Sequence, residues 1–407
     1  MLRTTCVVVF ALAAVAAATP RAGAPAWPLR IESVQTPAAQ NTANPQVTTS
    51  KRGLLLSWVE QRGTTATLMF AERAGGKWSE PRAAASGANW FVNWADVPSV
   101  LRLANGTLVA QWLQKSGAST YAYDVRLSYS TDEGKTWAPS FTPHDDGTPT
   151  EHGFVSMLPA GDGLGLLWLD GRATGGGEHA SHGAGGAMTV RYAAYDRNWK
   201  KTADTPVDVR VCDCCPTAAT LTADGPAVVY RDRSDKEVRD IAISRLENGK
   251  WTAGAPVNRD DWQIQACPVN GPAISARGKQ VAVAWFTGVG DKPRAFAAFS
   301  SDGGRSFGAP VRLDDEMSLG RVDIELLPDG SAAAAYVEQT GLRAELKVRR
   351  IATDGTRSDA VKVADLANNR ASGYPRMALD GDELIFAWTD REGGSQVRTA
   401  TAKIPPR

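Results

Sequence analysis

Cysteine and histidine are scarce in this 407-residue chain, with five and four copies, and their positions carry more information than their number. Cys212, Cys214 and Cys215 fall in Val-Cys-Asp-Cys-Cys-Pro-Thr, and Cys267 falls in Gln-Ala-Cys-Pro-Val-Asn. Thiolates combined with imidazoles suit copper(I) or zinc, so Cys212, Cys214, Cys215 and Cys267 with His152, His179 and His182 form one candidate ligand set. The same four cysteines also suit two disulfides in an oxidising compartment, and one of the three pairings joins Cys212 to Cys267 beside a vicinal Cys214–Cys215 ring. A second group could do acid–base and anion chemistry. Asp170 and Asp232 are candidate general acids or bases, Tyr374 is a candidate nucleophile, and Arg231, Arg321 and Arg376 would clamp a carboxylate bidentately if they converge. Such carboxylates also cap loop amides or pair with neighbouring arginines, here Arg172, Arg233 and Arg391.

These residues need a scaffold, and the chain carries an internal repeat that supplies one. An apolar run ending in an aromatic recurs at Trp58, Trp112, Trp168, Tyr230, Trp285, Tyr336 and Trp388. Each run follows a shorter apolar stretch and a Gly-bearing turn, the pattern of a β-hairpin. An alternating segment, a second turn and a further strand such as 206–210 follow. The unit is therefore four short antiparallel strands, which cannot bury both faces alone, and radial packing of several units gives a β-propeller. Seven copies predict seven blades, with six as the alternative if one copy is irregular. The last copy lacks a fourth strand, so residues 29–34 are expected to close the ring against it. Nothing marks a linker between 27 and 405, which reads as one all-β domain.

Strand direction alternates within each unit, so the turns after strands one and three share one face and the connections after strands two and four share the other. All four histidines and the four later cysteines map to the second face, in neighbouring units. The acidic residues two places after each aromatic, among them Asp170 and Asp232, reach that face as well. Arg231, Arg233, Arg321, Arg370 and Arg376 join them there, and loops on a rigid scaffold commonly carry function. Trp262 would stack on a sugar ring or pack.

Two turns on the first face are more specific. Ser130-Thr-Asp132-Glu-Gly134-Lys-Thr136-Trp137 and Ser300-Ser-Asp302-Gly-Gly304-Arg-Ser306-Phe307 match the Asp-box pattern of bacterial neuraminidase repeats. In phase with a sevenfold repeat, they make the chain resemble the sialidase-like propeller superfamily over nearly its whole length. The resemblance implies that Asp132 and Asp302 are folding devices opposite the active face. It also implies a glycoside hydrolase of exo-alpha-sialidase type, with an arginine triad, a Tyr–Glu nucleophile pair and an Asp acid/base. Here Arg30-Ile31-Glu32 lacks the proline of the family's Arg-Ile-Pro motif, and the first hairpin has no arginine at the expected place.

Residues 1–18, with Arg3 ahead of the apolar stretch 7–18 and small residues at its end, read as a secretory leader, cleaved there or as late as about residue 24. Cys6 would leave with it, giving a periplasmic or secreted protein without a membrane span. A net charge of +1, from 45 basic and 44 acidic residues, excludes a nucleic-acid-binding chain driven by charge. The expected product is a monomeric exported propeller that binds or hydrolyses an anionic glycan or similar small ligand. The sialidase reading requires no cofactor. The alternatives are a copper- or zinc-binding or redox-linked propeller, and a non-catalytic partner-binding propeller.

Overall fold

The computed structural model describes residues 27–175 and 186–405. The leader, Cys6, His179 and His182 lie outside the described residues. Seven antiparallel sheets follow one another around an axis, as the repeat predicts. Each aromatic of the repeat sits in the second strand of its blade and is at most 8% exposed, with Trp58, Trp168, Trp285, Tyr230 and Tyr336 at 1% or less. Second strands such as Gly163–Asp170 are buried throughout, because neighbouring blades cover both of their faces. The apolar clusters accordingly lie between blades: one joins Leu166 and Trp168 of blade three to Val109 and Leu127 of blade two.

The ring closes where the short seventh copy requires it. Glu32–Val34 pairs antiparallel with Gln396–Lys403, placing Glu32 opposite Thr401 and Val34 opposite Thr399. The strand is shorter than the 29–34 expectation, because Trp27 and Leu29 instead turn into the core between blades six and seven. Two outer strands also depart from the pattern. In blade two the outer position is held only by a bridge between Leu127 and Phe141. In blade three the outer strand is Lys201–Asp208, displaced from the expected 206–210.

The turns at 130–137 and 300–307 are closed by their own side chains. Asp132 accepts from the Thr136 amide (2.9 Å) and hydroxyl (2.6 Å), and Asp302 accepts likewise from Ser306. Gly134 adopts φ +77° where a Cβ would lie 2.6 Å from Phe70, so glycine is required there both by conformation and by space. Trp137 meets the same Phe70 edge-on at 6.0 Å. No helix among the described residues is long and apolar enough to cross a membrane.

First strands line an axial channel of about 220 Å³, in which Asp323, Glu325 and Arg376 are the charged residues. The channel admits some solvent yet encloses Glu325 in protein, and this burial, with Asp323 beside it, raises its carboxyl to about 8. The folded protein keeps that proton at pH values where the unfolded chain releases it. The resulting stabilisation is therefore complete below pH ~4.5 and is lost as pH rises through ~8. Glu325→Gln is expected to flatten this decline, which urea unfolding at about pH 5 and about pH 9 would measure.

Candidate functional site

The loop face is shaped by a device in the first strands. In blades one, three and six the strand bulges at its loop-face end, with register breaks at Ala43/Gln46, Gly153/Ser156 and around Gly320/Asp323. Asn44, Phe154 and Arg321 sit in these bulges with φ of 59°, 53° and 53°. Left-handed backbone at a phenylalanine or an arginine is strained and persists only where packing enforces it, and a bulge re-aims the side chain it carries.

Arg321 is aimed at Trp94, which comes from the connection into blade two. Its guanidinium carbon stands 5.1 Å from the Trp94 ring, and that of Arg370 stands 5.8 Å away. Tyr374 stacks on the same indole at 5.7 Å and 18°. Arg321 donates to the Ser372 hydroxyl (2.8 Å) and the Asn369 carbonyl (3.0 Å), and Arg391 donates to the Ala371 carbonyl (2.8 Å). Burial lowers the Arg321 pKa and the nearby Arg370 charge adds to this. Arg391 and Trp94 share the wall of a 560 Å³ cleft with Asn41, Asn44, Gln61 and Asn93. Among the described residues, no carboxylate lies within 4.0 Å of Arg321, Arg370 or Arg391. Two guanidiniums against one indole, with a third on the wall of the adjoining cleft and no carboxylate paired to any of them, make a site for an anion.

The arginines expected to converge take separate places. Arg231, 2% exposed, spends its donors on the carbonyls of Asn270, Arg239 and Phe286. Arg376 lines the channel with its guanidinium 5.5 Å from the Tyr374 ring. Arg321 alone of the three meets Trp94, where Arg370 joins it, and Arg391 lines the cleft that Trp94 borders. Tyr374 is 2% exposed and donates to the Val269 carbonyl at 2.6 Å, and burial raises its pKa. Its hydroxyl is thereby engaged as a structural donor.

Asp170 is fully buried and accepts from Trp168 (2.9 Å) and from Arg172 (2.7 and 2.8 Å). Burial opposes its ionisation, but these Arg172 bonds prevail and lower its pKa. Asp232 receives the Arg233 amide at 2.8 Å, and burial raises its carboxyl to about 6. The two are held in different blades by different partners. Trp262 packs edge-on against Phe286 under Arg231.

His152 departs from the expected ligand set. Instead of the thiols it joins His144, whose ring it stacks on at 3.9 Å and 6°, with carboxylates on either side. Asp146 lies 3.1 Å from His144 Nδ1 and 3.3 Å from His152 Nε2, and Asp124 lies 3.7 Å from His152 Nδ1. Burial and the adjacent His152 push His144 down to about 4. Arg172 reaches Asp146 at 3.5 Å and balances part of this charge.

All four described cysteines are free thiols, so the expected disulfides are not formed. Nor does Cys212 face Cys267: its sulfur lies 2.7 Å from Cys215 and 3.9 Å from Cys214, beyond the roughly 2.05 Å of a bond. Cys267 instead meets Cys214. Arg239 points Nη1 at the Cys212 sulfur from 3.5 Å. Burial opposes a thiolate at Cys212, yet hydrogen bonds from Cys214 and Cys215 and the Arg231 charge bring its pKa well below normal. Beside the thiols, Tyr123 donates to Glu151 at 2.6 Å, and burial raises Glu151 to about 8 and Asp96 to about 7.

Trp94, Arg391, Asp124 and Asp146 were not singled out as site residues by sequence. Trp94 had a signal, a second tryptophan in a loop segment that needs only one for packing. Asp124 and Asp146 had none, being ordinary acidic residues brought together by a blade boundary.

No protein-family model matches the chain, and no curated protein matches it in sequence. Solved structures do share its fold. A protein of unknown function from Dyadobacter fermentans aligns over 93% of this chain and 99% of its own at 16% identity and TM-score 0.51. The polysaccharide lyase Uly1 covers 89% of each chain at 8% identity and TM-score 0.52. A variant of the NanB sialidase from Streptococcus pneumoniae aligns over 85% of this chain and 83% of its own at 10% identity and TM-score 0.48. At these identities the likeness is one of fold.

The placement of Tyr374 has a measurable consequence. Tyr374→Phe leaves the Val269 carbonyl without its donor and should lower the unfolding free energy by roughly 1–2 kcal/mol in urea titrations. Binding of a ligand in the Trp94 cleft should be unchanged.

Proposed function

We propose that the chain is a divergent sialidase-like propeller that binds an anionic saccharide on its loop face, in the cleft between Trp94 and Arg391. The observation that carries this is Arg321 and Arg370 against Trp94 and Arg391 on the wall of the cleft that Trp94 borders, all without carboxylate partners. An indole offers a flat apolar face to a sugar ring, the guanidiniums match carboxylate or sulfate oxygens, and Asn41, Asn44, Gln61 and Asn93 supply amides for hydroxyl groups. The Asp-box turns and the shared fold of the polysaccharide lyase Uly1 support a saccharide over other anions. The geometry favours binding over sialidase-type hydrolysis, because Tyr374 is committed to a backbone carbonyl and Asp170 to Arg172. The leader expected in residues 1–18 supports a site of action outside the cytoplasm.

Calorimetry with a uronate-bearing oligosaccharide, a sialoside and a neutral oligosaccharide tests the reading. The acidic ligands should bind and the neutral one should not, with affinity falling as salt rises. Arg370→Ala and Arg391→Ala, both at exposed positions, should each weaken binding by about tenfold or more. Equal binding of the neutral oligosaccharide, or no binding of either acid, would rule the proposal out.

A further inference from the structure

The thiol cluster plays no part in the proposed saccharide cleft. We infer that Cys212, Cys214 and Cys215, with Cys267 beside Cys214 at the entrance, form a thiolate site for a soft monovalent cation, copper(I).

Proximity comes first. The sulfurs of Cys212, Cys214 and Cys215 all lie within 4.8 Å of one another, and Cys267 approaches Cys214 from the connection into blade five. A three-coordinate ion about 2.3 Å from each sulfur spaces the sulfurs about 4.0 Å apart. Cys212 and Cys214, 3.9 Å apart, are already close to that separation. Cys215, 2.7 Å from Cys212, must move outward to take the ion or inward to close a disulfide.

Charge separates those two outcomes. Arg231 is 2% exposed and bonds only to backbone carbonyls, with no carboxylate within 4.0 Å among the described residues. A buried cation costs several kcal/mol unless an anion compensates it. Arg231 acts electrostatically on both Cys212 and Cys215, and also on Asp260, so a thiolate at the cluster adds to the counter-charge around it. Arg239, fully buried, adds a second guanidinium at the Cys212 sulfur, shared with Glu237 at 2.7 Å. A disulfide is neutral and would take this added counter-charge away from Arg231, leaving it to Asp260 and the Trp262 ring. Three thiolates holding one monovalent ion keep two negative charges against the two guanidiniums.

The choice of ion follows from spacing. Cys214 and Cys215 are adjacent, which strains a tetrahedral zinc site but suits two- or three-coordinate copper(I), the ion that soft sulfur donors select. Cys214 and Cys267 are the partly exposed members, so the ion would enter and leave on their side.

The test is an anaerobic titration of the full chain with copper(I) under competition from a chromogenic chelator, with thiols counted beforehand. One equivalent should bind, with a thiolate-to-copper absorption in the near ultraviolet. Cys214→Ser, at a partly exposed position, should weaken binding at least tenfold, and so should Cys215→Ser. Cys267→Ser, which leaves the three ligands in place, should weaken binding far less. Tighter binding of zinc than of copper(I), affinity unchanged in Cys214→Ser and Cys215→Ser, or two disulfides in protein purified without oxidant would each overturn the inference. Saccharide binding is read separately, so failure here leaves the cleft proposal standing.

Discussion

A four-stranded sheet with apolar residues on both faces has no stable existence alone, and this constraint organises the whole molecule. Each blade can be covered only by the blade before it and the blade after it, so the array must close on itself or leave two apolar faces in water. Closure rests on Glu32–Val34, whose pairing with the last long strand is extended by a bridge between Gln40 and Gln396. Trp27 and Leu29 extend the same contact into the core between blades six and seven. The rigidity of the loop face rests on that circular arrangement.

Rigidity on the scaffold permits irregularity at its rim. The bulged first strands hold Asn44, Phe154 and Arg321 in left-handed conformations, and the flanking blades fix them there. The two faces then differ in kind. On one, short turns such as 130–137 satisfy themselves with their own hydroxyls and carboxylates. On the other, long connections leave groups whose partners come from several blades: Trp94 from one, Arg321 from another, Arg370 and Tyr374 from a third.

The architecture was legible because it is written in periodic residues. Seven aromatics spaced 51 to 62 residues apart reported seven second strands, and the missing last strand reported the closure. Strand direction alone was enough to expect all four histidines and the four later cysteines on one face, of which His179 and His182 lie outside the described residues. Which of them meet was not legible, because it depends on where loops fold rather than on which face they occupy. His152 illustrates this: its position in the first strand of blade three aims it at His144 and Asp146, while Cys212 next door faces Arg239. The arginines show the same limit. Arg231 and Arg376 are as near the axis in sequence terms as Arg321, yet of these three only Arg321, in the bulge at Gly320, turns its guanidinium toward Trp94.

The closing pair also sets an order of events. Glu32–Val34 is among the first segments of the fold to be synthesised, and its partner, Gln396–Lys403, is among the last. Six blades can assemble as they emerge, since each needs only local chain, but blade seven stays one strand short until more than 360 residues separate its members. The final step is thus a long-range search made by a nearly complete ring. Until it succeeds, the edge of Gln396–Lys403 is open to strands of other chains, so crowding during synthesis bears on this one joint more than on any other.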